Sequence, residues 1–395
     1  MSFNFTPSDE VRKIRKRIDH PIVDADGHLI EVIPLLIDFI REEAGQRIAD
    51  RFQALVAQRD PRERNVAGAR VFWALPEENT LDRMTATLPE LLYRRLDEFG
   101  VDFALLYPSM ALPLMCLPDA EVRQAAVRAC NRYYAEVFGG YRDRLEPVAV
   151  IPLFSPEEAL AELDHAIGER GLKAIVANAV IPRPPGEGGR DKDWLDTIGF
   201  GSPHDFDPVW ARINEAKVRV ATHVGPTDYQ KYGADLSEDP EAVLGDFDAL
   251  QWVLYWCDRP AMETVTSMIL HGLFERFPHI RVCMSEQGTT WLPYLLRKLD
   301  HAVRMGREAK WGSLERRPRE VFREHFVVAP FPEENVERVV AEVGVEPIVF
   351  GSDFPHGEGL AIPSQYASTQ LAGLPRDQVE AIMSRNLARF LARPA

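Results

Sequence analysis

The stretch PIVFGSDF, residues 347–354, decides the fold, because an apolar run of strand character ends there in a carboxylate. Burying an unpaired aspartate is costly, so Asp353 needs a cation or several hydrogen-bond donors around it. A helix cap is the structural alternative, but Pro355 and Gly357 disfavour an immediate helix. The stretch therefore predicts a buried strand that delivers Asp353 to a polar site.

Runs of the same kind recur along the chain, and each is separated from the next by a segment with helical spacing. This alternation is typical of a parallel sheet with crossover helices. The eight runs begin at Ile22, Val101, Pro147, Leu172, Val218, Ile280, His325 and Pro347. Eight such units favour an α/β fold of the (β/α)8 or TIM-barrel type over an open doubly wound sheet. No glycine-rich phosphate-binding motif follows any of the runs, which weakens nucleotide-binding alternatives.

The 395 residues are predicted to form a single barrel domain, since barrels often exceed the usual domain size. We expect an N-terminal extension over residues 1–20 and an insertion over residues 31–98 between the first two strands. Residues 181–204 and 225–243 form two further long connections, and the first is too rich in Pro and Gly for regular structure. The insertion and these two connections are expected to overhang the carboxyl-end mouth, where barrel active sites lie.

The composition indicates a globular protein, with 46% hydrophobic and 27% charged residues. A net charge of -15 opposes binding to nucleic acid or to an anionic membrane. No apolar segment follows the cationic run Arg12–Arg17, and none is long enough to span a membrane. The four cysteines of the chain are scattered and include no CxxC pair, so they indicate neither a disulfide framework nor a thiolate metal site. We expect a cytoplasmic protein with a small-molecule substrate.

Four polar residues lie at predicted strand ends and together predict a metal site. Asp26 and His28 flank Gly27 and project to one side of the first strand; an exposed turn is the alternative. His223 ends the fifth strand, where a buried core histidine is the alternative, and Asp353 ends the eighth. Oxygen and nitrogen donors without thiolate suit Zn2+, Mn2+ or Fe2+, and we favour zinc. The predicted cofactor is one divalent ion.

Several motifs resemble the amidohydrolase superfamily, and more narrowly its branch of aminocarboxymuconate-semialdehyde decarboxylase and related non-oxidative aromatic acid decarboxylases. The matching motifs are VDADGHLIE, LDEFGVDFALLYPS, ATHVG, FERFPHIRV, EQGTTWLPYLLRKLD and VFGSDFPHGEG, which together cover almost the whole chain. The resemblance implies that the first-strand ligand pair falls on Asp26 and His28, the fifth-strand histidine on His223 and the eighth-strand aspartate on Asp353. Asp26 stands where many relatives have histidine.

The resemblance also implies a single ion, because the fourth strand lacks, at its carboxyl end, the lysine that bridges two metals in binuclear members. Lys173 lies at the opposite end of that strand. Relatives are often dimers, so a homodimer is expected. In the sixth strand these decarboxylases commonly carry a catalytic histidine, but this chain has Glu286 at or beside that position. His271, in the preceding helical segment, is a candidate replacement, with a packed or solvent-facing histidine as its alternative.

Asp353, Glu286 and His223 are the predicted catalytic residues, with Asp353 as the proton shuttle. Decarboxylation of a small carboxylated or aromatic substrate is favoured. Hydrolysis of an amide, lactone or C–C bond, another metal-dependent lyase reaction and a catalytically silent binding subunit remain alternatives. Candidate substrate contacts, each with a surface or packing alternative, are Arg70, Arg83, Trp291, Tyr294 and His271. His356 is expected to steer the Asp353 carboxylate rather than to bind the ion directly.

Overall fold

The strands of the fold follow the apolar runs of the sequence. The computed structural model describes residues 5–59, 80–177, 180–192, 194–197, 202–224, 249–250, 258–305, 314, 316–357 and 359–392. Its strands are β1 Val23–Leu29, β2 Phe103–Pro108, β3 Leu145–Pro147, β4 Ala149–Ile151, β5 Ala174–Ala177, β6 Ile181–Arg183, β7 Trp194–Asp196, β8 Arg219–His223, β9 Val282–Ser285 and β10 Phe326–Val328. Every residue of β1 and β2 is buried, as expected for strands covered on both faces.

Parallel pairing joins the strands other than β6 and β7 into a ring. One sheet has the order β1–β2–β3 and another the order β10–β9–β8–β5–β4. The two join because β3 and β4 are separated by Val148 alone, whose N–H donates to the Leu106 carbonyl. The eighth run pairs with β10 through Ile348 and with β1 through Phe354. This closed arrangement of eight parallel strand segments confirms the predicted barrel.

Helices cover the outside of the ring. The described α-helices are Asp9–Arg17, Ile33–Ala44, Gln46–Arg59, Thr80–Thr87, Pro89–Phe99, Ala120–Val137, Pro156–Leu163, Asp207–Ala216, Asp258–Leu270, Leu273–Arg276, Leu292–Met305, Pro318–His325, Val336–Val343, Arg376–Glu380 and Asn386–Leu391. The Ser155 hydroxyl accepts from the Glu158 N–H and caps the helix that begins at Pro156, where a proline needs no amide partner.

The expected N-terminal extension and first insertion contain regular structure. Val11 and Ile14 of the first helix are buried, so residues of the extension pack into the domain. The insertion contributes the helices Ile33–Ala44, Gln46–Arg59, Thr80–Thr87 and Pro89–Phe99, whereas residues 60–79, with Arg70, lie outside the described part. At its start, the buried Glu31 carboxylate accepts from the N–H groups of Met110 and Ala111, which joins it to the segment after β2.

The connection after β5 corrects an expectation from the sequence. Its Pro and Gly content predicts irregular structure, but β6 and β7 form an antiparallel hairpin in which Ile181 pairs with Asp196. A buried ion pair, 2.9 Å between Arg183 Nη2 and Asp196 Oδ2, links the two strands diagonally and stabilises the hairpin. Composition missed the hairpin because a long-range ion pair leaves no local sequence pattern.

Two further observations concern membranes and cysteines. Among the helices that the structure describes, none combines the length and the apolar character needed to cross a membrane. The thiols of Cys116, Cys130 and Cys283 are free, and Cys257 lies outside the described residues. The free thiols agree with the absence of a disulfide pattern in the sequence.

His325, which ends the helix before β10, is a buried imidazole held neutral. Its Nδ1 lies 2.9 Å from both the Ile280 carbonyl oxygen and Arg281 Nη1, and Arg316 Nη2 approaches Nε2 to 3.1 Å as a donor. Burial lowers the pKa of His325 to about 4, with Arg281 and Arg316 acting in the same direction and Glu324 against it. The folded protein therefore resists protonation of this group.

We predict that His325 makes the fold less stable in acid. Above about pH 6.5 the group is neutral in both states, but below it the unfolded chain binds a proton that the folded chain refuses. The free energy of unfolding should fall by roughly 3 kcal/mol between about pH 6.5 and pH 4 from this group. Denaturant unfolding of His325→Gln across that interval should give a shallower pH slope than wild type.

His279→Gln is the matched control, because His279 is exposed. It should retain the wild-type slope. Equal slopes for wild type and His325→Gln would contradict the buried neutral imidazole.

Candidate metal centre

The four predicted ligands lie at the carboxyl-end mouth of the barrel, in two groups that share His28: Asp26, His28 and His223 form one, and His28, Asp353 and His356 form the other. Asp26 and His28 lie on β1, His223 ends β8, and Asp353 lies in the eighth strand segment. Their side chains are almost fully buried, with exposed fractions of 4% for Asp26, 1% for His28, 2% for His223 and 6% for Asp353. Three separate strand ends therefore supply carboxylates and imidazoles to one buried volume.

The distances among these groups suit a shared ion. His28 Nε2 lies 3.2 Å from Asp353 Oδ1, and His223 Nε2 lies 3.5 Å from Asp26 Oδ1. Ligand atoms about 2.0–2.2 Å from one ion lie roughly 3–3.5 Å from each other. Asp26 Oδ1 and His223 Nε2 are buried and have no hydrogen-bond partner among the described residues. A divalent cation would satisfy both atoms, so the residues present fit the predicted metal.

The histidine rings are oriented by their second nitrogen atoms. His223 Nδ1 lies 2.6 Å from the Val224 carbonyl oxygen, so this nitrogen carries the proton and Nε2 presents its lone pair to the site. His28 Nδ1 lies 3.5 Å from Ser109 Oγ, at the limit of a hydrogen bond. The orientation of His223 is the one that metal ligation requires.

Glu286 also faces the site. It follows β9 directly, and its Oε2 lies 3.2 Å from His223 Nε2 and 3.7 Å from His28 Nε2. The backbone at Glu286 is left-handed, with φ of 50°, and Asp353 shares this conformation with φ of 51°. Such conformations are strained for residues other than glycine and cluster at functional sites. The strained backbone at these two residues thus directs their carboxylates into the centre. With Asp26, the centre contains three carboxylates.

A hydrogen-bond network around β1 fixes these carboxylates, and sequence analysis missed it. Asp26 Oδ2 accepts from the Glu286 N–H at 3.0 Å, and the Asp26 carbonyl accepts from the Asp353 N–H at 2.6 Å. Asp24 Oδ1 accepts from the N–H groups of Asp26 and Ser352 at 3.0 and 2.9 Å. Burial raises the pKa of Asp24 to about 7, against these hydrogen bonds, which lower it. A register shift in β1 between Asp24 and Gly27 breaks the simple alternation of the strand, so the sequence pattern did not reveal the role of Asp24.

Tyr107 and Ser285 form a second group that the sequence did not indicate. The Tyr107 ring centroid lies 4.7 Å from that of His223, and Ser285 Oγ lies 2.9 Å from the Tyr107 oxygen. Burial raises the pKa of Tyr107 well above its ordinary value, so the phenol is neutral. Tyr107 therefore packs beside the ligand imidazole as an uncharged wall.

His356 lies against the centre. Its ring centroid is 4.1 Å from that of His28, and it forms a group with His28 and Asp353 whose ligand atoms lie within 4.8 Å of one another. Burial, together with His28 and His223, lowers the pKa of His356 far below its usual range. The imidazole is therefore neutral. It is close enough either to ligate an ion or to orient the Asp353 carboxylate, and orientation of the carboxylate stays our prediction.

Trp291 and Tyr294, predicted to wall a pocket or to pack against the barrel, lie in different environments. Trp291 is buried, and its Nε1 lies 2.9 Å from the Gln287 and Gly288 carbonyl oxygens, whereas Tyr294 is 53% exposed. Spacing of three residues on a helix does not guarantee a shared environment, and Tyr294 does not wall a buried pocket.

His271 does not replace the missing sixth-strand histidine. It follows the helix Asp258–Leu270, and the charges that act on it are those of Arg276 and Asp207 on the outer helical layer. Burial lowers the pKa of His271, as expected for a packed helix histidine. Arg83 is exposed on the helix Thr80–Thr87, and Arg70 lies outside the described residues, so their substrate roles stay predictions.

Gly351 leaves room for Asp26, which gives a test of the centre. A Cβ at Gly351 would lie 2.7 Å from Asp26 Cβ and 3.0 Å from Ala329 Cβ. We predict that Gly351→Ala displaces Asp26 and weakens binding of Mn2+ or Zn2+ at least tenfold, measured by titration against a competing chelator. Gly140→Ala is the control, because a Cβ there meets nothing within 4 Å. Unchanged affinity in Gly351→Ala would show that Asp26 is not a ligand.

Comparison with known proteins places this geometry in a family. The family model described as Amidohydrolase matches residues 23–393. A gamma-resorcylate decarboxylase from Rhizobium sp. (strain MTP-10005) is 21% identical over 326 residues, which cover 81% of this chain and 91% of that protein. An amidohydrolase structure from Mycobacterium avium subsp. paratuberculosis K-10 is 28% identical, with a TM-score of 0.64, over 79% of this chain and 75% of the other.

A third comparison concerns a structure that contains a metal. The dihydroxybenzoic acid decarboxylase from Polaromonas sp. JS666, solved with bound manganese and an inhibitor, is 16% identical with a TM-score of 0.62. The match covers 94% of this chain and 97% of that one, and it supports the fold. With the family model spanning nearly the whole barrel and the ligand residues at its mouth, the chain belongs to the amidohydrolase family.

Proposed function

We propose that this protein is a metal-dependent decarboxylase of a small aromatic carboxylate. The observation that carries the proposal is the pair of buried ligand groups at the barrel mouth, Asp26–His28–His223 and His28–Asp353–His356, in which Asp26 Oδ1 and His223 Nε2 are unpaired among the described residues. The names of relatives that act on resorcylate and dihydroxybenzoate support the substrate class. A barrel needs no such cluster to fold, which disfavours a silent binding subunit.

A divalent ion at this centre would supply Lewis acidity and orient the substrate's oxygen atoms. The sequence favours zinc, and imidazole ligands suit it. Three carboxylates around the site favour a harder ion such as Mn2+, which the Polaromonas decarboxylase structure contains. We therefore propose one ion per chain drawn from these two metals.

Asp353 is placed to carry the proton of the reaction. In its acid form it would protonate the ring carbon that bears the carboxylate. The bond between this carbon and the carboxylate then breaks, its electron pair returns to the ring, and CO2 leaves. The proton that Asp353 gives up is replaced from solvent. Asp353 sits beside His28, whose Nε2 is 3.2 Å from its Oδ1, so a substrate held at the centre lies within its reach.

Glu286 gives this chain a carboxylate where decarboxylases of the family commonly have histidine. Its Oε2, 3.2 Å from His223 Nε2, is positioned to accept a hydrogen bond from a hydroxyl group next to the substrate carboxylate. This substitution also favours a second candidate, a hydrolase of an amide, lactone or C–C bond, because a further carboxylate can act as a general base towards water. Product identification separates the two candidates.

We predict that metal content depends on His223. Purified protein should contain about one tightly bound transition metal per chain, and His223→Ala should lose it, because the imidazole ligand is removed. Elemental analysis measures this directly and also identifies the metal. The exposed His301 provides the control, and His301→Ala should keep its metal. Metal-free wild type and metal-free variant together would refute the centre.

We predict CO2 release from hydroxybenzoates or carboxymuconate-like acids by the metal-loaded protein. Asp353→Asn should lower the rate by about 10²–10⁴-fold, the usual contribution of a positioned acid. Asp377→Asn, at an exposed helix start, should leave the rate unchanged. No CO2 across the panel, with turnover of amides, lactones or cyclic ketones, would instead establish the hydrolase.

A further inference from the structure

A cavity lies at the end of the barrel opposite the metal centre. It has a volume of about 410 Å³ and opens at the amino ends of β8, β9 and β10, beside the helix Asn386–Leu391. This volume falls in the range of small-molecule sites. Its charged lining residues are Lys217, Arg219, Arg281, Arg323, Arg389 and Glu324.

The cavity concentrates positive charge in a protein whose net charge is -15. Five cationic side chains line it against one carboxylate among the described lining residues. That carboxylate, Glu324, is already engaged by Arg316 and lies 3.5 Å from Arg281 Nη2. Arg281, Arg323 and Arg389 donate to backbone carbonyl oxygens, which hold these side chains in place without neutralising their charge.

Arg219 is the key residue of this cavity. It is half-buried at the first position of β8, and its guanidinium makes no hydrogen bond or ion pair with any residue that the structure describes. Its nearest described ring is that of Phe390, 5.9 Å from the guanidinium carbon. Burial and the neighbouring Arg281 lower the pKa of Arg219. The folded protein therefore holds a cation where its charge is disfavoured.

The fully buried guanidiniums of the described residues are paired, unlike that of the half-buried Arg219. Arg183 bonds to Asp196, and Arg123 bonds to both carboxylate oxygens of Glu158 at 2.7 Å. Arg95 likewise bonds to Asp82 at 2.7 Å. Pairing is the expected state of a buried charge. The unpaired state of Arg219 indicates that its partner comes from outside the chain.

We propose that this cavity binds a small organic phosphate. Guanidinium groups match phosphoryl oxygens with paired hydrogen bonds, and several cations suit a group that carries about two negative charges. The cavity volume exceeds the needs of a lone phosphate and leaves space for an organic part. Arg219 and His223 are opposite ends of β8, roughly 13 Å apart at 3.3 Å per residue, so this site is separate from the metal centre.

The test uses the full-length, metal-loaded protein and glucose 6-phosphate as the probe, in a buffer free of phosphate and other multivalent anions. Calorimetry should show one site per chain for glucose 6-phosphate and no binding of glucose. Arg219→Gln should weaken binding at least tenfold. Arg338→Gln, which removes the same charge from an exposed helix position, should bind as wild type does.

A second measurement separates binding from folding. Without ligand, Arg219→Gln should unfold at the same temperature as wild type or higher, because the variant removes repulsion with Arg281. Glucose 6-phosphate should then raise the midpoint of wild type but not of Arg219→Gln. The proposal is overturned by absence of binding at millimolar probe, by equal weakening in Arg338→Gln, or by tighter binding of citrate. These results do not depend on the reaction at the metal centre.

Discussion

The hydrogen bond from the Glu286 N–H to Asp26 Oδ2, 3.0 Å long, is the interaction on which the centre depends. It joins β1 to the turn after β9. The Asp26 carbonyl accepts from the Asp353 N–H and joins β1 to the last strand segment, residues 347–354. One aspartate thus commits an oxygen of its side chain and its carbonyl to holding neighbours. Its remaining carboxylate oxygen, Oδ1, faces His223. Barrel closure and ligand geometry are set by the same few bonds.

This arrangement explains why small residues flank the ligands. Gly351 stands where any side chain would meet Asp26, and a Cβ at Gly27 would lie 3.1 Å from Leu106 and 3.2 Å from the Leu105 carbonyl. Close backbone approach of this kind is a common use of glycine. The buried hydroxyls of Ser285 and Ser352 lie 3.0 and 3.3 Å from the carbonyls of Ala25 and Asp26. The centre is therefore rigid before any ligand arrives, which favours precise orientation.

Much of the fold and half of the centre could be predicted from the sequence, because both depend on local patterns. Apolar runs located the eight strands, and their last polar residues located Asp26, His28, His223 and Asp353. The orientation of Glu286 was not predictable, since its left-handed backbone leaves no composition signal. Contacts between distant segments, such as Arg183 with Asp196, were equally hidden. Helical spacing placed Trp291 and Tyr294 on one face, but only Trp291 is buried, because spacing does not reveal which part of a helix face is covered.

At Glu286 and Asp353, the left-handed backbone lowers the stability of the fold, whereas the carboxylate side chain contributes to the centre. Each such conformation costs about 1–3 kcal/mol in a residue other than glycine. Glycine would relieve the strain at either position, but it would also delete a carboxylate from the centre. Selection for stability alone would therefore favour replacement of these two residues by glycine. Their retention among related proteins would indicate that the reaction is still under selection.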